Sequence, residues 1–250
     1  MPLSLRAATT RAFALLGSIA FAGTAAAQTD PYAAERAHMV DTVRAHAADP
    51  RAGAPGGRIS ERVLGALGKV PRHVLVPKRL RPLAYADRPL PIGYGQTISQ
   101  PYIVALMTEL LATRPSDRVL EVGTGSGYQA AVLAHLVSHV YSIEIVKPLA
   151  ERAARDLKNL GLTNVTVKAG DGYKGWPSNA PFDGIIVTAA PTTVPPPLID
   201  QLKPGGRLVL PLEERNGRQF LMVLEKGPDG KVARRRVIEV RFVPLTRTPR

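Results

Sequence analysis

The chain has 250 residues, of which 45% are hydrophobic, with 33 Lys and Arg against 20 Asp and Glu, a formal charge of +13 and no cysteine. That hydrophobic fraction allows one full domain with an appendage, and the missing cysteine excludes disulfides, thiolate metal sites and a cysteine nucleophile. The positive balance permits nucleic-acid, membrane-surface or acidic-protein partners without selecting one, but 5% aromatic residues with a single Trp weigh against base stacking, so no nucleic-acid partner is expected.

In chain order, Arg6 and Arg11 precede an apolar run over 12–22, and Ala25-Ala26-Ala27 follows. A positive start, a short apolar core and small residues at the end predict an export signal over 1–27, cleaved after Ala27, and a periplasmic or secreted protein. The alternative is a cytoplasmic chain. The run is too short for a bilayer, which takes about 20 residues, and no later segment is long and apolar enough, so no stable membrane insertion is expected. A helix over 31–48 and a flexible, turn-rich stretch over 51–57 make an N-terminal region of 28–57. The main domain is then 58–250, and a monomer is expected.

That domain begins with a short helix at 60–68 carrying Val63, Leu64 and Leu67 on one face. Five prolines break the stretch 71–96, and Ile103, Leu106, Met107, Leu110 and Leu111 then repeat at helical spacing. From residue 117, apolar strands alternate with helices. Strands are expected at 118–122, 140–143, 165–167, 182–187 and 207–210, with helices at 128–137, 148–160 and 195–202. This is the pattern of an α/β, doubly wound, mainly parallel Rossmann-like sheet. Strands at 219–225 and 235–243, joined by Gly227-Pro-Asp-Gly230, predict an antiparallel hairpin at its edge. The N-terminal helices form an extension to it.

Leu120-Glu-Val-Gly-Thr-Gly-Ser-Gly-Tyr128 closes the first of these strands and opens a helix. Its glycines allow a tight turn and close approach of backbone to ligand, at the carboxyl end of a strand where such sheets bind. The loop residues Gly123, Thr124, Gly125, Ser126 and Gly127 are therefore candidate binding residues. The spacing Gly-x-Gly-x-Gly departs from the dinucleotide pattern Gly-x-Gly-x-x-Gly. Glu121 beside the loop would oppose a pyrophosphate and favour a ligand carrying a cation. Glu144 ends the second strand and can accept from ribose hydroxyls. Asp171, with Gly172 leaving room for a ring, follows the third and is placed to accept from an adenine amino group. Acids at three successive strand ends point to S-adenosylmethionine. His135 and His139 sit four apart on one expected helix, but without the Glu of a zincin they read as helix surface, and no metal set is expected.

Over roughly 58–247 the sequence resembles the protein-L-isoaspartate O-methyltransferases. The resemblance is carried by "LPIGYGQTISQPYIVALMTELL" (90–111), "RVLEVGTGSGYQAAVLAHL" (118–136), "GDGYKGWPSNAPFDGIIVTAAP" (170–191), "LKPGGRLVLPL" (202–212) and "RFVPL" (241–245). It implies a class I methyltransferase fold, S-adenosylmethionine as methyl donor and, as partners, proteins and peptides containing L-isoaspartyl residues. It implies Ser99 as the active-site residue, with Thr97, Ile98, Gln100 and Thr246 beside the substrate. Without the resemblance, Ser99 before Gln-Pro-Tyr also reads as a helix N-cap, and the two roles need not exclude each other. Two other functions share the same residues: an isoaspartyl-binding module without turnover, and a small-molecule methyltransferase.

Overall fold

The computed structural model describes Met1 and residues 30–248; the expected export signal and its cleavage point lie outside the described residues. The chain divides into two units, Met1–Asp30 and Pro31–Arg250, and every element below belongs to the second. Helix α1 (Ala33–Ala47) buries Met39, Val43 and Ala47, which recur at i, i+4 and i+8 and so share one face. Helix α2 (Glu61–Lys69) starts where the Ser60 hydroxyl accepts from the Val63 amide, and it buries Val63, Leu64 and Leu67 as their spacing predicts. The turn-rich stretch between them lies against the body of the unit. It forms two short 3-10 turns, Ala52 is buried, and Tyr102 Oη donates to the Ala52 carbonyl at 2.8 Å.

Within the proline-broken stretch the chain makes a small antiparallel hairpin, β1 (Leu90–Gly93) and β2 (Gln96–Ile98). The alternation needed to foresee it spans too few residues, and Pro91 sits inside β1. The turn between them holds Gly93, Tyr94 and Gly95 at positive φ; glycine takes that region at no steric cost. Helix α3 (Pro101–Leu111) follows.

The main sheet is built from β3 (Arg118–Val122), β4 (His139–Glu144), β5 (Val165–Ala169), β6 (Phe182–Val187), β7 (Leu202–Glu213), β8 (Gln219–Lys226) and β9 (Val232–Val240), with α4 (Tyr128–Ala134), α5 (Lys147–Asn159) and α6 (Pro196–Asp200) between them. Its spatial order is β5-β4-β3-β6-β7-β8-β9. The first five strands run parallel, and β8 and β9 complete the edge antiparallel, as the alternating pattern and the Gly227–Gly230 turn require. Side chains alternate across the sheet. Val119 and Ile186 face one core with α1 to α5, while Leu120, Ile185 and Val187 face another with Leu198 of α6. Each fully buried aliphatic side chain contributes about 1.5–3 kcal/mol relative to exposure.

Two sequence expectations need correction. Helix α4 ends at Ala134, three residues early, because tight turns at Leu136 and Val137 reverse the chain into β4. His135 is thus the α4 C-cap and His139 lies on β4, where its Nε2 meets Thr166 Oγ1 at 2.9 Å. They do not share a helix. The last strand also stops at Val240 rather than 243, because its partner β8 begins at Gln219, the residue opposite Val240, and the chain beyond turns to bond with Ala190 at the ends of the central strands. Among the described residues no helix is long and apolar enough to cross a membrane.

Candidate functional site

The strand order reverses at β3, whose neighbours are β4 on one side and β6 on the other. A crevice opens at such a point, outside the carboxyl ends of the strands. The structure has a cleft there, bordered by Gly123 to Ser126, Glu144, Gly172 and Thr188 and, from other segments, by Thr97, Ser99 and Thr246.

The glycine loop is shaped by what surrounds it. Gly123 has φ +101°, and a Cβ there would run into Thr188 Oγ1, which itself donates to the Gly123 carbonyl at 2.6 Å. Gly125 lies under the β1–β2 hairpin, with Ile92 Cδ1 3.5 Å from where its Cβ would stand. Gly127 faces Leu157 of α5 instead and does not border the cleft. Gly172 packs on Val122, whose Cγ1 occupies the space of a Cβ, and so keeps the floor flat.

The three acids separate into different roles. Glu144 borders the cleft and its two oxygens accept from the backbone amides of Gly125 (2.8 Å) and Val146 (2.9 Å). A carboxylate has about four lone-pair sites, so it still has acceptor capacity for a ligand. Asp171 caps the short 3-10 turn Gly172–Lys174 by accepting from the Tyr173 amide at 2.9 Å, and Arg247 Nη1 stands 3.8 Å from it. One of its oxygens serves the turn, and Gly172 beside it borders the cleft. Glu121 lies fully buried beneath the loop, away from the cleft lining. It accepts from Ser142 Oγ, and Ser142 Oγ also meets Thr124 Oγ1 at 2.5 Å.

Burial pushes the Glu121 carboxyl up to about 8, against the lowering effect of the Ser142 hydrogen bond. The folded protein therefore holds this proton to about pH 8, while the unfolded chain loses it near 4.5. Between those values unfolding releases a proton, so stability falls as pH rises, by up to about 1.4 kcal/mol per unit. Glu121→Gln keeps an acceptor for Ser142 and cannot ionise. Chemical denaturation at several pH values should show a shallower decline between pH 5 and 8 in this variant than in the wild type.

The loop carrying Thr97 and Ser99 is held from behind. The N-cap of α3 is Gln100, which makes no capping bond; Asp87 supplies it from another segment. Asp87 Oδ1 accepts from the Tyr102 amide at 2.8 Å, while Oδ2 accepts from Gln100 Nε2 at 2.9 Å and meets His46 Nδ1 at 3.0 Å. The capping alternative for Ser99 is thus corrected. Its hydroxyl makes no hydrogen bond among the described residues, is half-buried, and borders both the cleft and a second groove. That groove runs along Gln100, Ile103 and residues 239–243. Ile98 and Thr246 border the cleft, and Gln100 only the groove. The 243–246 segment is tied down by Ala190, whose amide donates to the Val243 carbonyl and whose carbonyl accepts from the Leu245 amide, both at 2.8 Å. Tyr173 Oη adds a bond to the Leu245 carbonyl at 3.1 Å.

Two residues the sequence reading passed over complete the site. Thr188, one position past β6, borders both cavities; its place at the strand end beside the reversal was the available signal. Gln129, in the first turn of α4, is buried on the cleft wall and gives its Nε2 to Thr108 Oγ1 at 2.9 Å. Its Oε1 has no partner.

Comparison with known proteins accords with this geometry. The profile of protein-L-isoaspartate(D-aspartate) O-methyltransferases matches residues 54–249. The chain is 53% identical over 232 residues to protein-L-isoaspartate O-methyltransferase 2 of Syntrophobacter fumaroxidans, covering 93% of this chain and 94% of that one. It is 54% identical over 219 residues to protein-L-isoaspartate O-methyltransferase 1 of Cupriavidus necator, covering 88% and 85%. Among solved structures, a protein-L-isoaspartate O-methyltransferase superposes with a TM-score of 0.73 at 29% identity, over 84% of this chain and 65% of that one. A Plasmodium falciparum protein in complex with S-adenosyl-L-homocysteine superposes with a TM-score of 0.72 at 23% identity, over 85% and 99%, which speaks to the fold. A mainly parallel seven-stranded sheet, a glycine loop at its reversal and a hydroxyl-bearing loop over the cleft thus accompany a profile match over most of the chain, which belongs to the protein-L-isoaspartate(D-aspartate) O-methyltransferase family.

Proposed function

We propose that the protein transfers a methyl group from S-adenosylmethionine to the free α-carboxyl of L-isoaspartyl residues in proteins and peptides, the first step of their repair. The observation that carries this reading is that Thr97, Ser99 and Thr188 border both cavities. A donor in the cleft and a chain in the groove would meet at these hydroxyls.

The cleft suits the donor. Its wall presents an acceptor, Glu144, to a ligand rich in donors: ribose hydroxyls, an ammonium and an adenine amino group. The close-packed glycines at 123 and 172 leave space for a ribose and a flat ring. S-adenosylmethionine supplies a methyl group activated by a sulfonium.

The protein's own part is alignment and exclusion of water. The acceptor carboxylate is ionised at neutral pH, with an ordinary pKa near 4, and needs no base. Ser99 and Thr97 orient it by donating hydroxyl protons, and a hydroxyl blunts the nucleophile less than a guanidinium would. Residues 243–246 and the β1–β2 hairpin close the cleft from two sides. All of these come from one chain, which supports a monomer as the working unit.

Incubation with methyl-labelled S-adenosylmethionine and matched isoaspartyl and aspartyl peptides tests the assignment. Label is expected in the isoaspartyl peptide alone. Label in neither, or only in a small metabolite, would favour the binding-module or small-molecule reading. Asp87 sits behind the loop, so Asp87→Ala is expected to lower kcat about tenfold with donor affinity unchanged, as positioning losses do. Isothermal titration alongside initial rates would separate the two. The basic, apolar and small-residue order of residues 1–27 further supports export to the periplasm. Cell fractionation with N-terminal sequencing checks it, the expected result being a chain beginning at Gln28.

A further inference from the structure

The groove beside Ser99 does not stop at α3. A neighbouring cavity shares Gln100, Ile103 and Glu239 with it and is completed by His46, Ala52 and Ile238, so the two form one trough along α3 and the end of β9. We propose that its far end is a subsite, built in part by residues 46–52, that receives an apolar side chain flanking the isoaspartyl residue. This rests on the methyltransfer reading and adds a specificity determinant to it.

The far end is a built surface. His46 stacks on Tyr102, with centroids 3.8 Å apart and planes 16° from parallel, and its Nδ1 is engaged by Asp87. Tyr102 Oη holds the Ala52 carbonyl. Gly53, at φ +80°, brings its backbone so close to β9 that a Cβ would stand 2.5 Å from Ile238 Cγ2. The wall is therefore set before a peptide arrives, and little ordering remains to be done on binding.

The chemistry of the occupant follows from which charges are already engaged. Arg51 is paired with Asp49 at 2.9 Å and Glu239 with Arg218 at 2.7 Å. Ile103, Val237 and Ile238 are left half-buried along the floor, which favours an aliphatic side chain over a charged one. From Ser99 the trough passes Gln100 and Ile103, three residues and about 4.5 Å apart along the helix axis, before it reaches its far end, while an extended chain advances about 3.3 Å per residue. The residue received is thus about two or three positions from the isoaspartate.

The test uses the full chain and two kinds of isoaspartyl peptide: a short one with a single flanking residue on each side, and longer ones carrying Leu or Ala two and three positions away on either flank. Leu on one flank is expected to lower KM about tenfold relative to Ala, with kcat unchanged. Ile238→Ser and Val237→Ser should each abolish that gain while leaving the short peptide's kcat/KM as in the wild type. Both peptides are measured on the same preparation, so a loss of folded protein, which lowers both rates together, does not imitate the result. Equal KM for Leu and Ala on both flanks, or a gain that survives both substitutions, would overturn the proposal. Failure of the wild type to methylate even the short peptide would instead remove the reading on which it rests.

Discussion

Ser99→Ala is expected to lower kcat roughly a hundredfold while leaving the dissociation constant for S-adenosylmethionine within about twofold of the wild type. The residue borders both cavities and its hydroxyl is not committed to any other group among the described residues. The capping bond it could have made is made by Asp87, so removing the hydroxyl leaves α3 and the loop in place. What is lost is one donor aimed at the reacting carboxylate. Loss of a single well-placed donor in a reacting site costs about 10²–10³ in rate, and the lower figure applies to a carboxylate that is already charged before reaction. Thr97, which is exposed, should cost less. Rapid-quench measurement of a single turnover, with donor affinity by titration, distinguishes this from a loss of binding. A fall in donor affinity equal to the fall in rate would refute the division of roles.

Glu144→Ala should do the reverse, weakening donor binding at least about a hundredfold with a smaller change in the single-turnover rate at saturation. The expected size comes from two sources. The side chain is an acceptor on the cleft wall, and both its oxygens are tied to amides of the surrounding backbone. Removing it strands the Gly125 and Val146 N–H groups, each costing about 1–3 kcal/mol when buried without a partner. The glycine loop then loses the bond that fixes its height above β4. Glu144→Gln retains one acceptor and should fall between. Equal donor affinity in wild type and Glu144→Ala would show that the donor lies elsewhere.

The sheet was legible because its signals are redundant. Every parallel strand is a run of apolar residues next to a helix of different period, and a misplaced boundary at 137 or 243 does not change the order. The glycine loop was legible for the same reason, since three positions between 123 and 127 adopt positive φ. The acids were only half legible. Glu121, Glu144 and Asp171 stand near three successive strand ends but out of register, Glu121 opposite Ser142 and Glu144 opposite Ala169, and the direction of a side chain there depends on register and on the next turn. Glu144 turns to the cleft, Asp171 is drawn into the turn that follows it, and Glu121 points under the loop to Ser142. The role of Asp87 was not legible at all. Its partners are Tyr102, Gln100 and, 41 residues away, His46, and no local pattern joins them. The turn-rich stretch 51–57 misled in the opposite sense: its composition suggests slack, yet Gly53 is there to let the chain lie flat against β9.

The most direct test of the account is a crystal structure with S-adenosyl-L-homocysteine and an isoaspartyl peptide bound together. The nucleoside should occupy the cleft with its ribose hydroxyls on Glu144, and the peptide should lie in the groove with its free carboxylate within hydrogen-bond reach of Ser99 Oγ and open toward the sulfur. A nucleoside outside the cleft between β3 and β6, or a carboxylate held away from Ser99, would contradict it.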